Sequence, residues 1–236
     1  SPENILQEIE VLHDKYHLKH IELIDDIFTL DQKRTVKFSE MLSAQRMDIQ
    51  WVASSRVDTI SREVMEAMKK AGLEMLYFGV ESGSQRILNL MKKGITLERT
   101  QAVFKLAKNL GIASTGAFIL GYPGETLDEM WQTIKFSLKL DPDYAQFCVL
   151  TPYPGTPLYD ELKAKGLLMT EDWDRYSTIE PVIKYETFGY TIQRVRRMLR
   201  NAYFFFYLRP KYLLKHWWLI PTIIKSHITP HLKCER

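Results

Sequence analysis

The sequence predicts an α/β fold with a parallel sheet, arranged as a barrel or half-barrel. Three observations carry this. Five apolar runs recur at roughly 25–40-residue spacing, each followed by a helical pattern, as expected for successive βαβ units. Polar residues cluster at the C-terminal ends of those runs, the edge where such folds place ligands. The chain also opens on a helix, so in a strictly alternating fold a strand is expected before it.

The elements follow in order. Ser1 suits an N-cap, Pro2 the first helical position and Glu3 the first turn. Ile5, Ile9, Leu12 and Tyr16 repeat at helical spacing behind them. Residues 20–24 form the first strand, ending in Asp25 and Asp26, and Asp31 caps a helix to about Gln45. Residues 50–53 form the second strand, ending in Ser54, Ser55 and Arg56, and Ser61 caps a helix to Lys70. Residues 75–80 form the third strand, ending in Glu81, Ser82, Gly83 and Ser84. Two helical pieces follow, over 85–91 and, capped by Thr96, over 97–110. Residues 112–120 form the fourth strand, which runs into Gly121-Tyr122-Pro123-Gly124, with Thr126 and Glu129 as a capping box. Residues 144–150 form the fifth, ending in Thr151-Pro152-Tyr153-Pro154-Gly155, with Thr156 and Pro157 opening a helix. After about Gly166 the pattern changes. Loop and extended chain lead to two aromatic- and arginine-rich helices, over 191–208 and 211–225. They are expected as a separate packing element or as a helical cover over the sheet. The expected division is therefore 1–168 and 169–236.

Composition narrows the function classes. A 236-residue chain that is 45% hydrophobic and 26% charged can bury a core. A net charge of +3 is too small to argue for nucleic acid. Cys148 and Cys234 give no disulfide framework and no metal spacing. With no signal peptide and no apolar run of about 18 residues, a cytoplasmic location is expected.

Each candidate residue has a structural rival. Asp25 and Asp26 suit acid/base or ligand roles, or capping. Arg56, beside Ser54, can grip a ligand carboxylate or pair with Asp58. Glu81 ends an apolar strand, where an unpaired carboxylate is costly, which favours a functional role. Arg86 can pair with Glu81 or take a ligand carboxylate. The loops at Gly121 and at Thr151–Tyr153 suit a ligand rim or plain helix entries. Cys148 is expected as a small core residue, the histidines 13, 17 and 20 as surface, and the run Tyr203-Phe204-Phe205-Phe206-Tyr207 as core. Trp217 and Trp218, with basic neighbours, allow contact with a membrane surface.

Taken together, IELIDDIFTLD, WVASSRVD, YFGVESGSQRILNLMKKG, GAFILGYPGET and TPYPGTPLYDEL, in that order over residues 21–168, resemble the radical S-adenosylmethionine (SAM) enzymes. GVESGS, LGYPGET and the tail NAYFFFYLRPKYLL look most like the group with an N-terminal cobalamin-binding domain, which includes anaerobic magnesium-protoporphyrin ester cyclases. The resemblance implies a partial (β/α)6 barrel lacking its first strand, followed by a C-terminal helical extension. It implies SAM and a [4Fe–4S] cluster as cofactors, with cobalamin in the cobalamin-binding group. Reductive cleavage of SAM to a 5′-deoxyadenosyl radical would start chemistry on a small-molecule substrate, with flavodoxin or ferredoxin as reductant. It further implies that Glu81 and Ser82 contact SAM's ribose or amino group and that Arg56 or Arg86 takes its carboxylate. Leu120 and Gly121 would face adenine, with Thr151 nearby. Asp25, Asp26, Ser54 and Tyr153 would face substrate or cofactor.

One departure limits this. The family's Cys-x3-Cys-x2-Cys loop is absent, and Cys148 and Cys234 cannot replace it. The cluster ligands are therefore expected upstream of this chain, which on its own is expected to be inactive. Glu125 sits one place late for the family's glycine–glutamate register and is not carried over. Two alternatives stand beside the enzyme reading: a methylthiotransferase-like enzyme acting on RNA, and a cluster-free module that keeps only a SAM-like pocket.

Overall fold

The computed structural model describes residues 1–215. Its elements are α1 (Pro2–Tyr16), β1 (His20–Leu23), α2 (Gln32–Ala44), β2 (Gln50–Ser55), α3 (Arg62–Lys70), β3 (Leu73–Glu81), α4 (Gln85–Leu90), α5 (Leu97–Asn109), β4 (Ala113–Leu120), α6 (Leu127–Leu140), β5 (Tyr144–Val149), α7 (Pro157–Ala164), α8 (Ile192–Tyr207) and α9 (Pro210–Lys215). The five strands pair in sequential order and every pairing is parallel. The predicted α/β class and strand count are thus observed.

Local chemistry sets the helix starts. Asp31, Ser61, Ser84, Thr96, Thr126 and Thr156 each accept the backbone N–H three residues on, so one orphan donor per helix is satisfied. Thr126 and Glu129 complete the expected capping box.

Sequential order combined with right-handed crossovers sends each connecting helix to the same face of the sheet. Alternating burial follows. Trp51, Ala53, Leu76, Phe78, Val80, Phe118, Leu120 and Phe147 are buried on the helix side. There Phe28, Phe38 and Trp51 pack edge to face, with ring centroids 5.4–5.7 Å apart. The opposite residues, Val52, Ser54, Tyr77, Ala117 and Cys148, stay half-buried, and Gln146 is exposed. A parallel sheet usually has both faces covered. Here the described residues leave one face open, and it is half polar.

The tail joins the same core. Tyr185, Val195, Phe206 and Tyr212 belong to the hydrophobic cluster that also holds Phe118 and Phe147. Helix α8 lies along the outer edge of β5. The Tyr207 hydroxyl donates to the Ala145 carbonyl at 2.7 Å and accepts its N–H at 3.1 Å. The Tyr203 hydroxyl does the same for Phe147, at 3.0 and 3.2 Å. The Val149 N–H donates to the Thr178 carbonyl at 2.7 Å. The outward groups of the last strand are therefore satisfied by the tail rather than by another strand.

Two expectations are corrected here. Of the aromatic run expected as core, only Phe206 is fully buried; Phe204 and Phe205 are exposed, and the two tyrosines sit on the sheet edge. Cys148 is half-buried on the open face rather than in the core, because strand alternation puts it beside Gln146 and opposite Phe147. Desolvation raises its thiol pKa. The helix expected over 211–225 is described only as far as Lys215. Trp217, Trp218 and Cys234 lie outside the described residues, and no helix among the described residues is long and apolar enough to cross a membrane.

Candidate functional site

The open face carries a pocket of about 500 Å3 that runs from the C-terminal ends of β1, β2 and β3 to the first half of β4 and the middle of β5. Each strand contributes to its lining: Glu22 from β1, Ser54 and Ser55 from β2, Tyr77 and Glu81 from β3, Thr115 and Ala117 from β4, and Gln146 from β5. The pairings Ser54–Tyr77, Tyr77–Thr115 and Ala117–Gln146 align these residues in rows across one face. Asp26 and Arg56 come from the loops that follow β1 and β2.

Glu81 is the charged centre of this pocket. Its backbone is left-handed, with φ at +67°, a region that costs a non-glycine residue about 1–2 kcal/mol. The β3–β4 register shifts between Gly79 and Glu81, so the strand twists out of alternation where it turns its carboxylate inward. Lys93 donates to Glu81 Oε1 at 2.6 Å, both side chains being largely buried. Arg56 packs alongside but is already engaged. Its Nε and Nη2 meet the two Asp58 oxygens at 2.9 and 2.7 Å, and Nη2 also donates to the Lys93 carbonyl. The Asp58 contact raises the Arg56 pKa further.

The structure therefore brings Asp26, Ser54, Arg56 and Glu81 together and places the other predicted residues elsewhere. Ser82 is fully buried, its hydroxyl 3.2 Å from Thr133 Oγ1 on α6. Arg86 does not pair with Glu81. It forks onto Glu129, Nε to Oε1 at 2.8 Å and Nη2 to Oε2 at 2.5 Å, and also donates to the Gly124 carbonyl. The Arg86 contact, foremost, pulls the Glu129 pKa down to about 2. Leu120 is buried on the helix side. The Gly121 N–H donates to Glu125 Oε2 at 2.6 Å and its carbonyl accepts the Tyr185 hydroxyl at 3.0 Å, so its main chain is occupied. Thr151 Oγ1 donates to the Ser177 carbonyl. Asp25 accepts the N–H of Ile27 and lines a different hollow, against α1. Tyr153 stands half-exposed on the rim loop, outside the pocket lining.

The Ser82-Gly83-Ser84 turn packs against α6. A Cβ built on Gly83 would lie 2.6 Å from the Gln132 carbonyl and 2.7 Å from Thr133 Cα. The glycine lets β3 turn directly against the backbone of α6, and its N–H donates to Thr133 Oγ1 at 2.9 Å. Ser84 caps α4 and donates to Glu129. Gly83→Ala is expected to cost about 1–3 kcal/mol in a denaturant melt, since rigid backbone must yield.

Lys93, Gln146, Tyr77 and Thr115 are pocket residues that sequence reasoning missed. Gln146 left a readable signal: a polar residue between Ala145 and Phe147 in an otherwise apolar strand marks the open face. Lys93 left none, because the loop after α4 returns to the pocket only through the tertiary fold.

Comparison with known proteins bears on the family and the fold. The family model for the Radical SAM superfamily matches residues 1–137. An uncharacterized methyltransferase of Pyrococcus horikoshii is 46% identical over 215 residues, 91% of this chain and 46% of that protein. The anaerobic magnesium-protoporphyrin IX monomethyl ester cyclase of Rubrivivax gelatinosus is 29% identical over 215 residues, 88% of this chain and 38% of the cyclase. The chain thus spans less than half the length of these relatives. Among solved structures, the radical SAM methyltransferase TsrM from Kitasatospora setae, with cobalamin and a [4Fe–4S] cluster bound, superposes with a TM-score of 0.67. It is 17% identical, with 84% of this chain and 41% of that one covered. With five parallel strands in sequential order and a family match over more than half its length, the chain belongs to the Radical SAM superfamily.

Proposed function

We propose that this chain forms the SAM-facing wall of a radical SAM methyltransferase whose cluster ligands lie outside it. The observation that carries this is the pocket on the uncovered sheet face, centred on Glu81. Its volume lies within the range of about 300–1,000 Å3 typical of small-molecule sites. The charge pattern suits SAM. Glu22, Asp26 and Glu81 can face the ammonium and sulfonium cations, Lys93 can face the carboxylate, and Ser54 and Gln146 can hydrogen-bond the ribose. Tyr77 adds an aromatic ring to the same surface. Methyl transfer is favoured over cyclisation because the relative that shares 46% identity bears that name.

The cluster is a different matter. No group of three or more His, Cys, Asp or Glu side chains among the described residues can hold a metal, and Cys148 stands alone on its strand. A [4Fe–4S] cluster needs several thiolates, so it does not fit the residues of this chain. Bound together, SAM and a reduced cluster supply radical chemistry. What this chain contributes is binding, orientation and shielding of SAM. Cobalamin, a small-molecule substrate and a flavodoxin or ferredoxin reductant belong to the same proposal, through the sequence resemblance.

Equilibrium dialysis of SAM against the chain tests the pocket. Wild type is expected to bind, and Glu81→Gly to bind at least tenfold more weakly. Thermal stability should fall by about 2–4 kcal/mol, because relief of the left-handed strain offsets only part of the cost of leaving the largely buried Lys93 unpaired, so binding is compared where both proteins are folded. Equal SAM affinity in the two proteins would remove Glu81 from the site.

A further inference from the structure

We infer that the outer face of α8 is a docking surface for an anionic lipid bilayer, independently of the SAM pocket. Helix α8 buries Val195, Met198, Leu199, Ala202 and Phe206 against the sheet and α6. The opposite stripe, at helical spacing, reads Gln193, Arg197, Arg200, Phe204 and Leu208, with Arg194 and Phe205 beside it. Its C-terminal half is apolar and open: Phe204 is 57% exposed, Phe205 44% and Leu208 52%, with Leu214 of α9 at 77%. Its N-terminal half is cationic. Arg194, Arg197 and Arg200 are exposed and take no ion-pair partner among the described residues.

Two hollows with mixed linings flank this ridge. In one, Phe204, Phe205 and Leu208 stand beside Arg209 and Lys211; in the other, Ile179, Leu199 and Tyr203 stand beside Arg196 and Arg200. The surface is held rigid from beneath. Asp141, at the C-terminus of α6, binds Lys108, Arg209 and Lys211, and Asp143 binds Lys215. The position of α9 is therefore fixed against the end of α6.

Charge selects the occupant. Residues 191–236 hold ten Lys and Arg against one acidic residue, Glu235, whereas residues 1–190 hold 22 against 28. The small net charge of the whole chain hides a basic C-terminal segment on an acidic body. An exposed apolar patch beside free arginines matches an interfacial helix, whose aromatic and aliphatic groups enter the acyl boundary while guanidinium groups meet lipid phosphates. Single-stranded nucleic acid would use the arginines and the phenylalanine rings, but it gives Leu208 and Leu214 nothing to contact.

Flotation of the 236-residue chain with phosphatidylcholine vesicles, with and without phosphatidylglycerol, tests the inference. The chain is expected to float with the anionic vesicles and remain behind with the neutral ones. The triple variant Arg194→Gln, Arg197→Gln, Arg200→Gln should weaken partition roughly a hundredfold. Phe204→Ser with Phe205→Ser should weaken it at least tenfold. The arginine variant changes only exposed side chains without ion-pair partners among the described residues, so it remains informative if the phenylalanine variant folds poorly. Three outcomes overturn the inference: no flotation of wild type, which means the face is covered within the protein; equal flotation with neutral vesicles; or binding to single-stranded RNA with no vesicle partition.

Discussion

Glu125→Gln is expected to flatten the dependence of stability on pH between about pH 5 and 9. Glu125 is 1% exposed. Its Oε2 accepts the N–H groups of Gly121 and Tyr122, at 2.6 and 3.1 Å, while its Oε1 is buried without a partner among the described residues. Burial is the main cause that raises its pKa to about 8; the two N–H bonds work against it, Glu129 adds repulsion and Arg86 opposes. The groups facing it are Tyr185 and Tyr190 from the tail, and Glu129 and Arg86 from the helices. Tyr185 and Tyr190 are themselves held neutral by desolvation.

An acid whose folded pKa is raised binds its proton more tightly when folded. Its stabilising effect is complete below the unfolded pKa of 4.5 and is lost as pH rises through about 8. The full shift corresponds to several kcal/mol, on the order of 3–5. Thermal melts from pH 5 to 9 should therefore show the wild-type midpoint falling from about pH 5 to 8 and levelling off above that, with the glutamine variant falling less. The substituted amide would keep an acceptor for the two N–H groups and carry no charge at any pH. Parallel melting curves for the two proteins would show that Glu125 ionises normally in the fold.

Replacing Tyr203 and Tyr207 together by phenylalanine is expected to destabilise the chain by about 2–4 kcal/mol. Each hydroxyl serves one N–H and one C=O on the edge of β5, so each deletion strands a donor and an acceptor in a partly buried setting. The rings would remain, with Tyr203 and Tyr207 stacked on each other at 6.1 Å and Tyr203 packed on Phe147 at 5.4 Å, so lost packing is a minor part of the change. Urea titration gives the free energy. Concentration-dependent light scattering gives the second consequence, since an uncovered strand edge invites pairing between copies. A double variant within about 0.5 kcal/mol of wild type would mean that water satisfies the edge equally well.

Much of this was legible in the sequence because it rests on local rules. Strand alternation, helix caps and the capping box at Thr126 depend on residues a few positions apart, and the predicted elements match the observed ones closely. The resemblance of five strand-end motifs added the family, which the comparisons bear out. Glu81 was found by a local signal too, as a carboxylate at the end of an apolar run. The partners that the sequence did not show share one cause: polarity in the sequence does not say which partner a polar group will meet. Arg86 and Glu81 lie five residues apart in sequence, yet Arg86 is taken by Glu129 and Glu81 by Lys93. The resemblance made Ser82 a SAM contact, but α6 arrives against it. Gly121 read as an adenine-facing turn, but Tyr185 reaches it across 64 residues.

The sequence by itself determined the alternating parallel α/β architecture, the helix boundaries, the superfamily and the absence of a cluster-binding cysteine motif in this chain, because each is written in short-range spacing or in residue identity. Only the tertiary structure decided which charged groups share the open face of the sheet and which are consumed in packing. It also showed that the aromatic tail serves as the sealed edge of β5. These are contacts between residues tens of positions apart, set by how five strands and their helices stack, and no local pattern encodes them.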